Sequence, residues 1–429
     1  MAIDAERCGT RTDIREEKNM RSLVMSAISA AAAFSATALH AEPLKIGIVE
    51  SLSGAQTSTG RLYANAVKYG VDRINDTGGF NGEPVTVTEY DNAGGSPEAA
   101  DKFRQAVADG VDIIFQGASS AIAGQLTEDV RKHNIRNPGK EVIFINLGGE
   151  AMELTGNKCQ FYHFRYTTTA PMRVSALVSA MKESGDLGDK VYSINQNYSW
   201  GQDMQAAVEA AAAEGGYTVV DEVLHDVNKI QDFAPFVARI RSAAPDTVFT
   251  GNWSNDLLLL MKAAGDAGLD VTFATAFLDQ PGNIANAGKT AIGHYIANNY
   301  DNAATDGKFA ESYKAATGHY PIFVEGHTAF ALGALQQALG TVDFGGGDID
   351  ATKIALALEN TTYESPIGPI SVRKDDHQTI RPVVVSRVVE NPKYPADGTN
   401  MGFETVKVIA GDKAINSVQD SCKMERPAE

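Results

Sequence analysis

The sequence predicts an α/β protein of two similar lobes, each a doubly wound parallel sheet with helices on both faces. From Pro43 onward, short β-branched runs alternate with amphipathic helical stretches, the pattern of parallel strands joined by helical crossovers. The alternation stops at "FYHFRYTTTAP" and then begins a second time. A chain of 429 residues, 43% of them hydrophobic, is also long enough to build two cores.

Before the first strand lies "MRSLVMSAISAAAAFSATALHAEP", a basic start followed by an Ala-rich apolar run and small residues. That is the form of a secretory signal, with Met20 as the expected start, residues 1–19 as an upstream extension, and cleavage after Ala38 or Ala41. A membrane anchor would carry Leu and Ile where Ala and Ser dominate here. No later apolar run approaches the ~20 residues that span a bilayer, so a periplasmic protein with no membrane insertion after signal cleavage is expected.

The first set of strands reads "LKIGIVE", "PVTVTEY", "VDIIFQG" and "EVIFINL"; the second reads "KVYSIN", "YTVVDEVL", "DTVFTG" and "DVTFATAF". Between them lie helical stretches such as "PEAADKFRQAVADG", with Pro97 near its start and Gly110 just past its end, as capping predicts. Phe309 to Asn360 is helical in pattern, and two late strands follow, "GPISV" and "RPVVVSRVV". Late strands after helices imply that the chain passes between the lobes more than once.

Net charge is −17, which disfavours nucleic acid as a partner because nothing would neutralise phosphates. Two cysteines remain past the signal, Cys159 and Cys422. In an oxidising compartment they are expected to pair and tie the C-terminal tail to the body. Signatures of catalysis were sought and are absent: the sequence has no G-x-x-x-x-G-K-[ST], G-x-G-x-x-G after a strand, H-E-x-x-H or G-x-S-x-G. No His and Cys stand at metal-ligand spacing. Neither enzymatic activity nor a cofactor or metal is expected.

What remains is a series of polar strand-to-helix junctions. In open α/β sheets ligands gather at the carboxyl ends of strands, where helix N-termini present free N–H groups. In the first set, strands run into "SLSGAQTSTG" (with Ser53 and Thr59), "QGASSAIAGQ" (Ser119, Ser120) and "NLGGEAMEL" (Gly148, Gly149, Glu150). A serine before a helix is most often an N-cap, but three such junctions on one sheet edge point to a pocket. The second set places aromatics instead: Tyr198 and Trp200 in "NQNYSWGQD", Trp253 in "TGNWSND", with Asp279 in "FLDQPGN". Both tryptophans of the chain thus stand at equivalent exits of one lobe, an apolar wall facing an anion-binding floor.

These residues carry a family resemblance. From Pro43 to about Val389, the chain resembles the substrate-binding proteins of ABC importers in the branched-chain amino acid (Leu/Ile/Val) family. The marks are "LKIGIVESLSG", "NDTGGFNGEPVTVTEYDNAGGSPEAA", "GASSA", "FRYTTTAPM", "YSWGQD" and "SPIGPISV". The resemblance implies the type I periplasmic-binding-protein fold, two lobes on a three-segment hinge with a ligand cleft between them. It puts the crossings near Arg165–Thr168, Tyr295–Tyr300 and Pro366–Ile370. Lobe I is then 42–165 plus 300–366, and lobe II 166–299 plus 367–429.

By the same resemblance, Ser120 with Ser119 takes a ligand carboxylate, Gly148 offers its carbonyl to an ammonium, and Trp200 and Trp253 stand where tyrosines are usual. Glu150 replaces a small hydroxyl residue. The family's ammonium-binding glutamate falls near Ala276 or Phe277, so its role is open to Asp279 or Glu150. An aromatic of the first loop becomes Thr59, which leaves room. The ligand is left open among aliphatic amino acids, amides, aromatic acids and cationic compounds. The expected partners are that small molecule and a membrane ABC permease, the receptor being a monomer. The rivals are an exported hydrolase using Ser120 or Ser53 with a distant His, and a sensor for a signalling receptor.

Overall fold

A computed structural model describes residues 42–345 and 348–427. The signal segment lies outside the described residues. The first sheet holds five parallel strands in the order β2-β1-β3-β4-β5. These are β1 (Lys45–Glu50), β2 (Thr86–Asp91), β3 (Ile113–Gln116), β4 (Ile143–Asn146) and β5 (His163–Arg165). Helices α1 (Thr57–Asp76), α2 (Ser96–Ala108) and α3 (Ser120–Arg136) connect them. Ile113, Ile114, Phe115, Ile143, Phe144 and Ile145 are all fully buried. Such unbroken apolar runs are what a sheet covered on both faces requires.

The second sheet has seven strands in the order β15-β14-β10-β9-β8-β6-β7. Its parallel part comprises β6 (Lys190–Gln196), β7 (Thr218–His225), β8 (Thr247–Thr250), β9 (Thr272–Thr275) and β10 (Tyr295–Asn298). It is wrapped by α4 (Ala170–Ser184), α5 (Ser199–Ala210), the short α6 (Ala212–Gly215), α7 (Ala234–Ala243), α8 (Ser254–Asp266) and α9 (Asn283–Ala287). The chain then builds α10 (Lys308–Thr317), α11 (Phe323–Leu339) and α12 (Ala351–Glu359). Leu332 of α11 lies against Gly70 of α1, so this helical segment belongs with the first sheet. The α/β class and the paired parallel sheets are those expected.

Past α12 the chain departs from the expected division. β11 (Thr362–Ser365) and β12 (Gly368–Val372) form a hairpin, Ser365 pairing with Gly368 across Pro366–Ile367. The segment expected to cross between lobes is therefore a tight turn, and β13 (Thr379–Ile380) completes a separate three-stranded sheet. The crossing comes later, at 378–382. There Gln378 Nε2 donates to the Thr167 carbonyl at 2.7 Å, and Arg381 donates to the carbonyls of Tyr166 and Asn299 at 2.8 and 3.2 Å. One guanidinium and one amide thus stitch three chain segments together. β14 (Val383–Glu390) and β15 (Met401–Ile409) then join the second sheet antiparallel, because they arrive across this junction and not through a helical crossover.

Beyond β15 and the short α13 (Gly411–Ala414), the tail leaves the second sheet. Gln419 Nε2 donates to the Met152 carbonyl at 2.6 Å, and Cys422 is bonded to Cys159 with Cα atoms 5.5 Å apart. Asn416 still meets Thr169 at the entrance of α4, and the tail from Gln419 onward reaches the first sheet's side, which differs from the expected placement of all of 367–429 with the second. The bond closes a loop of 263 residues, and cross-linking a long loop removes much entropy from the unfolded chain. Cys159→Ser with Cys422→Ser is expected to lower the unfolding free energy by about 2–4 kcal/mol. A fall in urea midpoint, matched by the wild-type protein under reductant, checks this.

Candidate functional site

Both sheets reverse strand order beside β1/β3 and β6/β8, and a crevice opens outside the strand ends at such switch points. The two crevices face each other across one cavity. Thr59 and Tyr63 of α1, the Gly117–Ser120 turn after β3, and Gly148 after β4 form one wall. Tyr198 and Trp200 after β6, Trp253 after β8, and Phe277 and Gln280 after β9 form the other.

On the first wall, Ser119 is the N-cap and Ser120 the first residue of α3, yet neither side chain caps the helix. Ser120 Oγ instead accepts the Glu150 and Ala151 N–H groups at 3.0 and 3.2 Å, which leaves its own proton free to donate. Tyr63 packs on two glycines. A Cβ at Gly117 would lie 2.4 Å from its ring and one at Gly148 2.1 Å from its hydroxyl. No other residue fits at either place without displacing the ring.

On the second wall both indole N–H groups are used internally. Trp200 Nε1 donates to the Gly251 carbonyl at 2.8 Å and Trp253 Nε1 to Tyr198 Oη at 2.7 Å. The rings are thereby fixed, and Trp200 meets Phe277 edge to face at 5.8 Å. Ser254, next to Trp253, holds φ 54°, a left-handed backbone that is disfavoured for any residue with a Cβ. Its N–H donates to Gln280 Oε1 at 3.0 Å and its hydroxyl reaches the Ala55 carbonyl at 3.4 Å. A large ring stands at this polar junction because it forms a wall of the cleft.

The space between the walls is about 20 Å³, about enough for one water. Ligand sites run to ~300 Å³ and more, so the walls must part to admit a ligand. Thr59 and Gln280 also line an outer chamber of about 350 Å³ with Ser58, Ser254 and Asn283, which makes that chamber the mouth of the same cleft.

Four sequence-predicted residues stand apart from the cavity lining. Ser53 is exposed, its N–H donating to Asp91 Oδ1 at 3.2 Å. Gly149 turns inward, its N–H on Asn146 Oδ1 at 2.6 Å. Asp279 caps α11 through the Phe323 N–H at 3.0 Å and lines a separate cavity of about 520 Å³ with Tyr300 and Asp301. That cavity is the larger one, but the serines and tryptophans do not converge on it. The Glu150 carboxylate is saturated by Arg173 Nε and Nη2, each at 2.7 Å, and by the Thr167 hydroxyl at 2.7 Å. Arg173 in turn donates to the carbonyls of Ala276 and Ala297 and to Asn298 Oδ1.

A model of the periplasmic binding protein family matches residues 43–394. The chain belongs to the periplasmic binding protein family. It is 55% identical over 395 residues to the Leu/Ile/Val-binding protein homolog 4 of Brucella abortus, covering 91% of this chain and 95% of that one. The crystal structure of a leucine-, isoleucine-, valine-, threonine- and alanine-binding protein from Brucella ovis, in a closed conformation, superposes with a TM-score of 0.85 at 56% identity; 90% of this chain and 100% of that one are covered. The Escherichia coli Leu/Ile/Val-binding protein is 23% identical over 372 residues, covering 82% of this chain and 92% of that one. This chain is accordingly a solute receptor of the periplasmic binding type.

Sequence reasoning missed Tyr63, Arg173 and Glu50 in this receptor. Tyr63 and Arg173 lie within helices, where nothing in the local pattern sets them apart. Glu50 ends β1 fully buried, its carboxylate accepting the Gly117 N–H at 2.7 Å and the Ala118 N–H at 3.2 Å. Part of the anion-binding floor expected at this turn is thus occupied by the protein's own carboxylate. Burial pushes the Glu50 carboxyl up to about 7, against the pull of its backbone N–H partners. A raised folded-state pKa means that the native protein holds a proton which the unfolded chain has released above pH 4.5. Glu50 therefore favours folding below about pH 4.5, and that contribution is lost as pH rises to about 7. Glu50→Gln is expected to flatten the decline in melting temperature between pH 5 and 7.5, measured against wild type in the same buffers.

Proposed function

We propose that this receptor captures a small amino acid between its lobes in the periplasm and delivers it to an ABC permease. One observation carries the proposal: hydroxyls left uncapped at the entrance of α3 and rings fixed at the exits of β6 and β8 face each other across one cavity. In this reading the ligand's carboxylate docks on Ser119, Ser120 and the free N–H groups of the first turn of α3. Trp200 and Trp253 close over the bound ligand from the other wall and exclude water. The names of the Brucella relatives favour Leu, Ile, Val, Thr and Ala as ligands.

The lobes in this proposal are the two sheets with their helices, the first including α10–α12 and the tail from Gln419 onward. They move as units about the crossings at Tyr166–Thr167, Asn299 and Gln378–Arg381. Only the closed form touches ligand from both sides, so binding shifts an open–closed equilibrium. A tenfold shift needs only about 1.4 kcal/mol of differential contact, and burying apolar area against one indole supplies that much. The receptor works as an exported monomer and carries out no covalent chemistry. Among the described residues, neither Ser120 nor Ser53 has a histidine hydrogen-bond partner, which weighs against a hydrolase.

Isothermal titration of the mature protein with leucine tests this reading. Ser120→Ala removes a hydrogen bond to a charged group, worth about 1.5–3 kcal/mol, so affinity is expected to fall roughly ten- to a hundredfold. Trp253→Ala is expected to weaken it at least tenfold. Unchanged affinity in both variants, or hydrolytic turnover abolished by Ser120→Ala, would contradict the reading.

A further inference from the structure

An amino acid carries an ammonium as well as a carboxylate, and burying a cation without a partner is costly. The cavity lining contains no ionisable acid: apart from two tyrosines, every side chain on either wall is neutral and non-titrating. Nearby carboxylates lie outside the lining: Asp256 Oδ2 holds Gln196 Nε2 and the Asn228 N–H and Asp279 Oδ2 the Phe323 N–H, each with its second oxygen unpaired. Glu150 is bound by Arg173 and Thr167, and Glu50 holds the Gly117 and Ala118 N–H groups. What the second wall does offer is ring surface. Trp200 and Trp253 have their N–H groups turned to internal acceptors, and Tyr198 accepts from Trp253, so all three rings are held rigidly. Phe277 is a weaker participant, because the Arg173 guanidinium already sits 5.0 Å from its ring centroid.

From this arrangement, and resting on the amino-acid reading above, we infer that Trp200, Trp253 and Tyr198 form an aromatic cage for the ligand's ammonium. The receptor's substrate class then extends to N-methylated amino acids and their quaternary betaines. Aromatic faces attract cations through their quadrupole, most strongly for indole, and do not require N–H donors from the cation. A neutral carbonyl partner, which holds an ammonium through hydrogen bonds, does require them. At both phenols beside these rings burial, which disfavours any charge, is the largest influence, and neighbouring carboxylates add a smaller negative one. The Tyr63 phenol is pushed up first by burial and then by Glu150 and Glu50, with Asp279 adding to them and Arg173 opposing. The Tyr198 phenol is raised by burial too, with Glu150 and Asp256 adding to it and the Trp253 hydrogen bond opposing.

Three probes separate the possibilities by calorimetry on the mature protein: L-valine, its bulkier N,N,N-trimethyl betaine, and 2-tert-butyl-3-methylbutanoate, the carbon isostere that matches the betaine in shape. The cage predicts that the betaine binds within tenfold of valine and that the isostere, which keeps the carboxylate but lacks the cation, binds at least tenfold more weakly than the betaine. If valine binds and the betaine is more than tenfold weaker, the ammonium is held through its N–H groups, with the Gly148 carbonyl the nearest candidate. The cage is then wrong while the receptor reading stands. If the isostere comes within tenfold of the betaine, shape and not charge is being read, and the cage is again wrong. If none of the three binds, and leucine does not either, the amino-acid reading fails and the cage with it. The comparison among ligands needs no variant. Trp253→Leu adds a second readout, with a larger loss expected for the betaine than for the isostere.

Discussion

The Glu150–Arg173 pair is the interaction on which the rest of this molecule turns. Glu150 leaves the first sheet just after β4, and Arg173 stands on α4, the first helix of the second lobe. Their side chains are 2% and 0% exposed. Two charges taken that far from water are tolerable only when every remaining polar atom is satisfied. Here the carboxylate has a bidentate guanidinium and a threonine hydroxyl, while the guanidinium has two carbonyls and an amide oxygen besides. Removing one partner from such a pair costs about 3–5 kcal/mol, because the other charge is left buried and alone.

That magnitude decides how the lobes are able to move. Contacts between them are unequal. Near the hinge lie the buried pair and the Asn299 amide, which donates to the Thr167 hydroxyl at 2.9 Å. Further out the Met152 N–H donates to Asp203 Oδ2 at 2.7 Å and the Phe323 N–H to Asp279 Oδ2 at 3.0 Å, and at the mouth of the cleft stands the long hydrogen bond from Ser254 Oγ to the Ala55 carbonyl at 3.4 Å. Exchanging that bond for water costs little. In the opening we propose, the lobes pivot about Glu150–Arg173 and the walls part at Ser254 and Ala55. This explains why the binding surfaces are divided as they are. In that proposal the hydroxyls and helix entrance belong to the lobe that ligand reaches first, and the rings come in with the other.

Much of this was readable in the chain. Alternating apolar runs and helices reveal the two sheets because parallel strands buried on both faces cannot hide their composition. Ser119, Ser120, Trp200 and Trp253 stand out because each interrupts a strand exit with a residue type that a loop does not need. Arg173 does not stand out: in "APMRVSALVSAM" it reads as a solvent-facing helix residue, and its partner lies 23 positions earlier in another lobe. Glu150 misleads for the same reason, since a carboxylate beside a ligand turn looks available until its guanidinium is known. The hinge at Gln378–Arg381 is masked by "SPIGP", whose Pro and Gly form a hairpin turn and not a crossing. Pairing between distant segments decides all three cases, and one-dimensional pattern does not carry it.

Hydrogen–deuterium exchange on the mature protein, with and without saturating leucine, tests the pivot most directly. The Glu150 and Ala151 amides, held on Ser120 beside the pair, are expected to stay protected in both states. Those around Ser254 and Gly54–Thr57 should exchange markedly faster without ligand. Loss of protection at Glu150 and Ala151 in the free protein, with the Ser254 edge unchanged, would contradict a hinge built on that pair.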